Sequence, residues 1–203
     1  LLFIPLFFSI FYPYDRSGLL GLVASFAFIW TLFPFLFREK VPIISRCFMG
    51  IDRPEDRPHT LLWLSTQFLA SIIVIIPVII VSEVYFNIRW GNIGLFVLCL
   101  AMIGDGFAEP IGVRFGKIKY KTFALFTKKR YYRTIEGSLT VFISSIFVIS
   151  IFSFLFTSNQ LFIAFFILPI TITVIEAFSP HTWDGPFLLG GAGIGTIGIL
   201  YYF

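Results

Sequence analysis

Charge is what this chain has least of. Asp, Glu, Lys and Arg make up 13% of its 203 residues, about half the share of a soluble globular domain. That scarcity excludes an ordinary soluble fold. Cysteine is almost as rare: Cys47 and Cys99 lie in unrelated contexts with no CxxC, so neither a disulfide framework nor a zinc site is expected. Residues 1–12 carry no basic n-region and no small-residue cleavage site, and are not read as a signal peptide. The chain opens on Leu rather than Met. What fills the space is apolar: 58% hydrophobic residues, 28 of them Phe, and a mean hydropathy of +0.93. No polar stretch is long enough to fold alone. The expected architecture is therefore a single all-α, polytopic membrane domain over residues 1–203, with a functional loop at about 103–138.

A spanning helix needs about 20 apolar residues to cross a hydrocarbon core about 30 Å thick. Seven runs meet or approach this: Leu1–Tyr12, Gly18–Phe37, Leu61–Val81, Ile93–Phe107, Ile135–Phe156, Leu161–Phe178 and Pro186–Phe203. With seven spans, the linkers 38–60, 109–134 and 179–185 share a side. They carry five, eight and no Lys or Arg, against only Arg16 and Arg89 opposite. The positive-inside bias makes the heavy side cytoplasmic, the inner-membrane face in a prokaryote. Asp184 then falls on the same side as the charged stretch.

Two other segments have bland readings. IDRPEDRPH is a nearly neutral connector, or else a source of Arg53, Arg57 or His59 for a site. Its prolines, Pro54 and Pro58, bar one long helix. Gly193, Gly195 and Gly198 match GxGxxG, but no strand precedes them, so a dinucleotide site is rejected. Gly191 and Gly195 form a GxxxG that suits close helix contact in lipid.

The informative stretch is IGDGFAEPIGVRFGKIKYKTFALFTKKRYYRTIEGS, residues 103–138. It holds three of the eleven acids (Asp105, Glu109, Glu136) and eight of the fifteen cations. Asp105 and Glu109 are four apart and share one helix face. Acids beside a membrane span are costly and usually have a function or a partner. Two carboxylates on one face suit Mg²⁺, whose shell phosphate and water complete; the alternative is pairing with Arg114 or Lys117. Gly104 and Gly106 flank Asp105 and allow close backbone approach, and Pro110 is expected to limit the helix. Gly112 and Gly116 bracket Arg114, with Lys117, Lys119 and Lys121 following. Freed amides and cations of this kind suit a polyphosphate. Lys128, Lys129, Arg130 and Arg133 add charge, and for the first three a topology or anionic-lipid role is the alternative. Glu136 either orients a hydroxyl or serves a helix N-terminus. In EAFSPHTWDGP, Glu176 ends a span and Asp184 is a third metal or base carboxylate. His181 reads as a solvated loop residue, the alternative being that it assists Asp184.

These motifs resemble the membrane-bound phytol kinase and dolichol kinase family, within the wider CTP-using cytidylyltransferase-like superfamily. Gly104, Asp105, Ala108, Gly112, Phe115 and Gly116 fit its GDxxAxxxGxxFG pattern; Glu136, Gly137 and Ser138 fit its E-G-S pattern; Glu176, Asp184 and Pro186 fit its last acidic loop loosely. Arg133 stands where the family has Lys, Glu109 where it often has Asp, and Gly185 where it has Asn. The resemblance covers about half the chain. It implies a kinase with CTP as phosphoryl donor and a long-chain isoprenoid alcohol such as phytol, farnesol or dolichol as acceptor. In that reading Asp105, Glu136 and Asp184 are catalytic. Mg²⁺ sits on Asp105, Glu109 and Asp184, and the nucleotide on Gly104, Gly112, Arg114, Gly116, Lys117, Lys121, Lys128 and Arg133. No nucleic-acid partner is expected. The alternatives are a cytidylyltransferase acting on a lipid phosphate and a non-catalytic lipid-binding or transport protein. Against transport, no internal repeat is evident and the charges gather at one face.

Overall fold

The computed structural model describes residues 42, 60–123, 130–181 and 183–203. The expected spans Leu1–Tyr12 and Gly18–Phe37, Cys47, the connector with Arg53, Arg57 and His59, and the basic pair Lys128 and Lys129 lie outside the described residues. In chain order the elements are α1 (Thr60–Phe86), α2 (Trp90–Phe115), β1 (Lys119–Phe123), β2 (Arg130–Thr134), α3 (Ile135–Ile151), a 3₁₀ turn (Ser153–Leu155), α4 (Ser158–Phe178) and α5 (Asp184–Tyr202). The chain divides into two compact units, Leu1–Ile72 and Ile73–Phe203. In the first, the opening of α1 carries Thr66 and Ser71, whose hydroxyls donate back to the carbonyls of Leu62 and Gln67 at 2.7 and 2.8 Å. The second unit holds all the remaining elements.

The described architecture is helical, with one small hairpin. α1, α2, α4 and α5 are each long and apolar enough to cross a membrane; α3 is apolar but shorter. Large apolar side chains stay exposed along them, among them Phe162, Phe166, Ile170 and Val174 at helical spacing on α4. That is the surface of an integral membrane protein, with lipid as its solvent. α2 is the central helix of the second unit, where Phe96, Val97, Leu98 and Leu100 are fully buried. It packs on α3 and α5, and α4 packs on the same two.

Contacts along each pair show the helices running antiparallel. Near the start of α2, the Phe96 ring meets Phe152 and Phe156 at 5.5 and 5.4 Å. Further along, a side chain at Gly104 would strike Ser144 and Val141, and one at Gly137 would lie 2.9 Å from the Ala108 carbonyl. The α2–α3 seam therefore demands small residues, as close helix packing in lipid does. On α5, Gly191 abuts Ile175 and Gly195 abuts Leu168, while Gly193 abuts Val78. The GxxxG reading holds: these glycines pack helices.

Two expectations need correction. The span expected to end at Phe107 runs on to Phe115, straight through Pro110. Proline removes the bond to the carbonyl four residues back and crowds it. That residue is Gly106, which is exposed and has open space around it, so the strain finds room. The linker treated as loop is also partly a sheet. β1 and β2 pair antiparallel, with Tyr120 opposite Arg133 and Thr122 opposite Tyr131. KYKTF alternates in burial, and both strands are rich in Tyr and Thr, which favour pleated backbone.

Candidate functional site: a forked arginine at the helix ends

Alternation in the hairpin gives it two faces. Tyr120, Thr122, Tyr131 and Arg133 point inward; Lys119, Lys121, Phe123 and Tyr132 point outward. The inner face docks on the turn between α4 and α5. Thr122 Oγ1 donates to the Ser179 carbonyl at 3.3 Å, and the His181 amide donates to the Phe123 carbonyl at 2.9 Å. The Tyr131 and His181 rings stack with centroids 4.5 Å apart. His181, expected to be a solvated loop residue, is a docking residue.

This docking places Arg133 between two acids from different helices. Its Nη1 donates to Glu176 Oε1 at 2.7 Å and its Nη2 to Asp184 Oδ2 at 2.9 Å, with the Arg133 side chain 8% exposed. Asp105 of α2 lies within electrostatic range of Asp184. Glu176 Oε2 accepts from Ser138 Oγ at 2.9 Å. Ser138 Oγ also lies 2.7 Å from the Tyr120 hydroxyl. A serine has one proton to give, so Tyr120 is the donor in that pair. Burial pushes the Tyr120 phenol above its usual range, which keeps it a donor; the Glu176 charge adds to this, while the Ser138 bond and the Arg133 charge oppose it. The result is a directed chain, Tyr120 to Ser138 to Glu176, locked to Asp184 through one guanidinium.

The predicted site residues separate into two groups. Arg133 and Asp184, from β2 and α5, are bonded to each other, and Asp105 of α2 is in electrostatic range of that pair. The others take different places. Glu136 is tied to the chain crossing beside it, accepting from the Lys117 amide at 3.0 Å through Oε1. It sits two residues before Ser138 and so points to a different side of α3. The α3 N-terminus is capped instead by Thr134, whose hydroxyl accepts from the Gly137 amide at 3.1 Å. Arg114 is exposed, its guanidinium 5.4 Å from the Phe115 ring centre. The Lys117 side chain is exposed, and Lys121 faces away from Arg133. Glu109 is exposed one turn beyond Asp105. Gly104, Gly112 and Gly116 have packing reasons: side chains there would meet Ser144 in the first case and Thr134 in the other two. Among the described residues, no three His, Cys, Asp or Glu side chains form a group that could hold a metal ion. Mg²⁺ needs only one or two protein carboxylates when phosphate and water fill its shell, and Asp105 and Asp184 are the two acids in electrostatic range of each other here.

Tyr120 and the linkage through Ser138 escape a reading of the sequence by helices and loops. The signal that finds them is the period-two run KYKTF. Compared with family models, curated proteins and solved structures, the chain matches none.

Proposed function

We propose that the protein is a membrane lipid kinase that moves a phosphoryl group from CTP, or another nucleoside triphosphate, to a long-chain isoprenoid alcohol. The observation that carries the reading is the buried Arg133–Asp184 ion pair with Asp105 in electrostatic range of it, drawn from three separate parts of the chain. In this reading seven spans hold the domain in the bilayer and the site faces the cytoplasm. Asp105 and Asp184 hold Mg²⁺, and the exposed cations Arg114 and Lys117 bind the triphosphate. The alcohol head enters from the bilayer with its chain along the apolar helix surface. Phosphoryl transfer needs positioning and charge neutralisation above all, and a fixed guanidinium between carboxylates is a preorganised frame for both. The motif resemblance supports the same chemistry.

The test is direct. Protein purified in detergent is mixed with labelled CTP or ATP, Mg²⁺ and a panel of isoprenoid alcohols. Release of CDP with a phosphorylated alcohol is the expected result; pyrophosphate release instead marks a cytidylyltransferase. Asp105→Asn lowers turnover by at least about a hundredfold, the scale of losing one preorganised charge-stabilising group. An unchanged rate removes Asp105 from the metal.

A further inference from the structure

The outward face of the hairpin has no role in that chemistry. Lys119 and Lys121 are both exposed there. Beside them Phe123 is 54% and Tyr132 60% exposed, and Ile118, just before the strand, 59%. Same-face residues on a strand stand about 7 Å apart, so this is a flat patch of spaced cations and rings rather than a pocket. A triphosphate is bound by cations that converge on it; a plane of headgroups is met by cations that do not.

Connectivity fixes where the hairpin lies. Only residues 116–118 separate β1 from the end of α2, a candidate span, and β2 runs into the apolar helix α3 with no intervening residue. The hairpin is thereby held at the membrane boundary. Lysine with Phe and Tyr is the composition of an interfacial anchor: the rings enter the headgroup layer while the ammonium groups meet anionic lipid. We infer that the Lys119–Lys121–Phe123–Tyr132 face docks on the adjacent leaflet and selects anionic phospholipid headgroups. Its opposite face meanwhile presents Arg133 to Glu176 and Asp184. The inference is independent of the proposed kinase activity.

The full chain, carrying Tyr132→Cys in a Cys47→Ser, Cys99→Ala background, is labelled with a polarity-sensitive dye. It is then reconstituted in nanodiscs of phosphatidylcholine alone or mixed with phosphatidylglycerol. The expected result is blue-shifted emission in the anionic discs, quenched by brominated phosphatidylglycerol. Lys119→Gln with Lys121→Gln weakens that docking about thirtyfold, equivalent to about 1 kcal/mol for each lysine near an anionic surface. Should the double variant fail to fold, a salt titration of the labelled parent reads the same attraction. Emission returns toward its phosphatidylcholine value as the Debye length shrinks. Equal emission in the two lipids, or indifference to salt, overturns the inference. So does a shift produced by CTP or inorganic triphosphate in phosphatidylcholine discs, which would make the face a polyphosphate surface.

Discussion

The two faces of one hairpin hold positive charge in opposite ways. On the inner face, Arg133 is buried and its two amino groups are each committed to a carboxylate. On the outer face, Lys119 and Lys121 extend into open surroundings. The residue types suit the tasks. A guanidinium is planar, always charged and able to bond two acids at once, whereas an ammonium is a strongly hydrated point charge on a flexible stem. A loop that reads as one cationic field is therefore two devices. One fixes three chain segments; the other is available to a surface.

The sharpest way to break this contrast is Arg133→Met. It strands Glu176 and Asp184 beside each other and costs about 3–5 kcal/mol of stability, measurable by denaturant unfolding in detergent micelles. Arg133→Lys keeps the charge but loses the fork and falls between Met and the parent. If Lys matches the parent, the fork is unnecessary. Gly137→Ala tests whether the seam that positions Ser138 is as tight as its 2.9 Å clearance to Ala108 implies. Overpacking of this kind costs about 1–3 kcal/mol, read in the same assay. Tyr120→Phe removes one donor from the inner face and costs about 1 kcal/mol. A double-mutant cycle with Ser138→Ala gives a non-zero coupling if the two hydroxyls form one chain. Smallest of all, Lys119→Gln and Lys121→Gln leave the unfolding midpoint within about 0.5 kcal/mol of the parent. A larger loss would mean that the outer lysines are structural too.

Hydropathy located the described helices well because lipid solvation is a strong, local constraint. Leu61–Val81, Leu161–Phe178 and Pro186–Phe203 each anticipate a helix within a few residues. The Ile93–Phe107 boundary failed at Pro110, since the residue that relieves the proline, Gly106, is itself a glycine that reads as a breaker. The site was legible in its acids and not in its cations. Asp105 and Asp184 stand out because carboxylates are rare here and border apolar runs. Nothing local distinguishes Arg133 from its seven basic neighbours, because its partners lie 43 and 51 residues away. The glycines around Asp105 invited a phosphate reading, yet Gly104, Gly112 and Gly116 each have a neighbouring helix or cap residue at close quarters. The hairpin was hidden by its short strands, whose period-two pattern is easily taken for a scatter of charge.

Thr134 belongs to two elements at once. It closes the ladder opposite Lys119, and its hydroxyl caps the helix that starts at the next residue. There is no hinge between sheet and helix. A push on the hairpin from outside cannot be absorbed in a flexible joint; it arrives as a tilt or a twist of α3, with the Arg133 fork riding on the same lever.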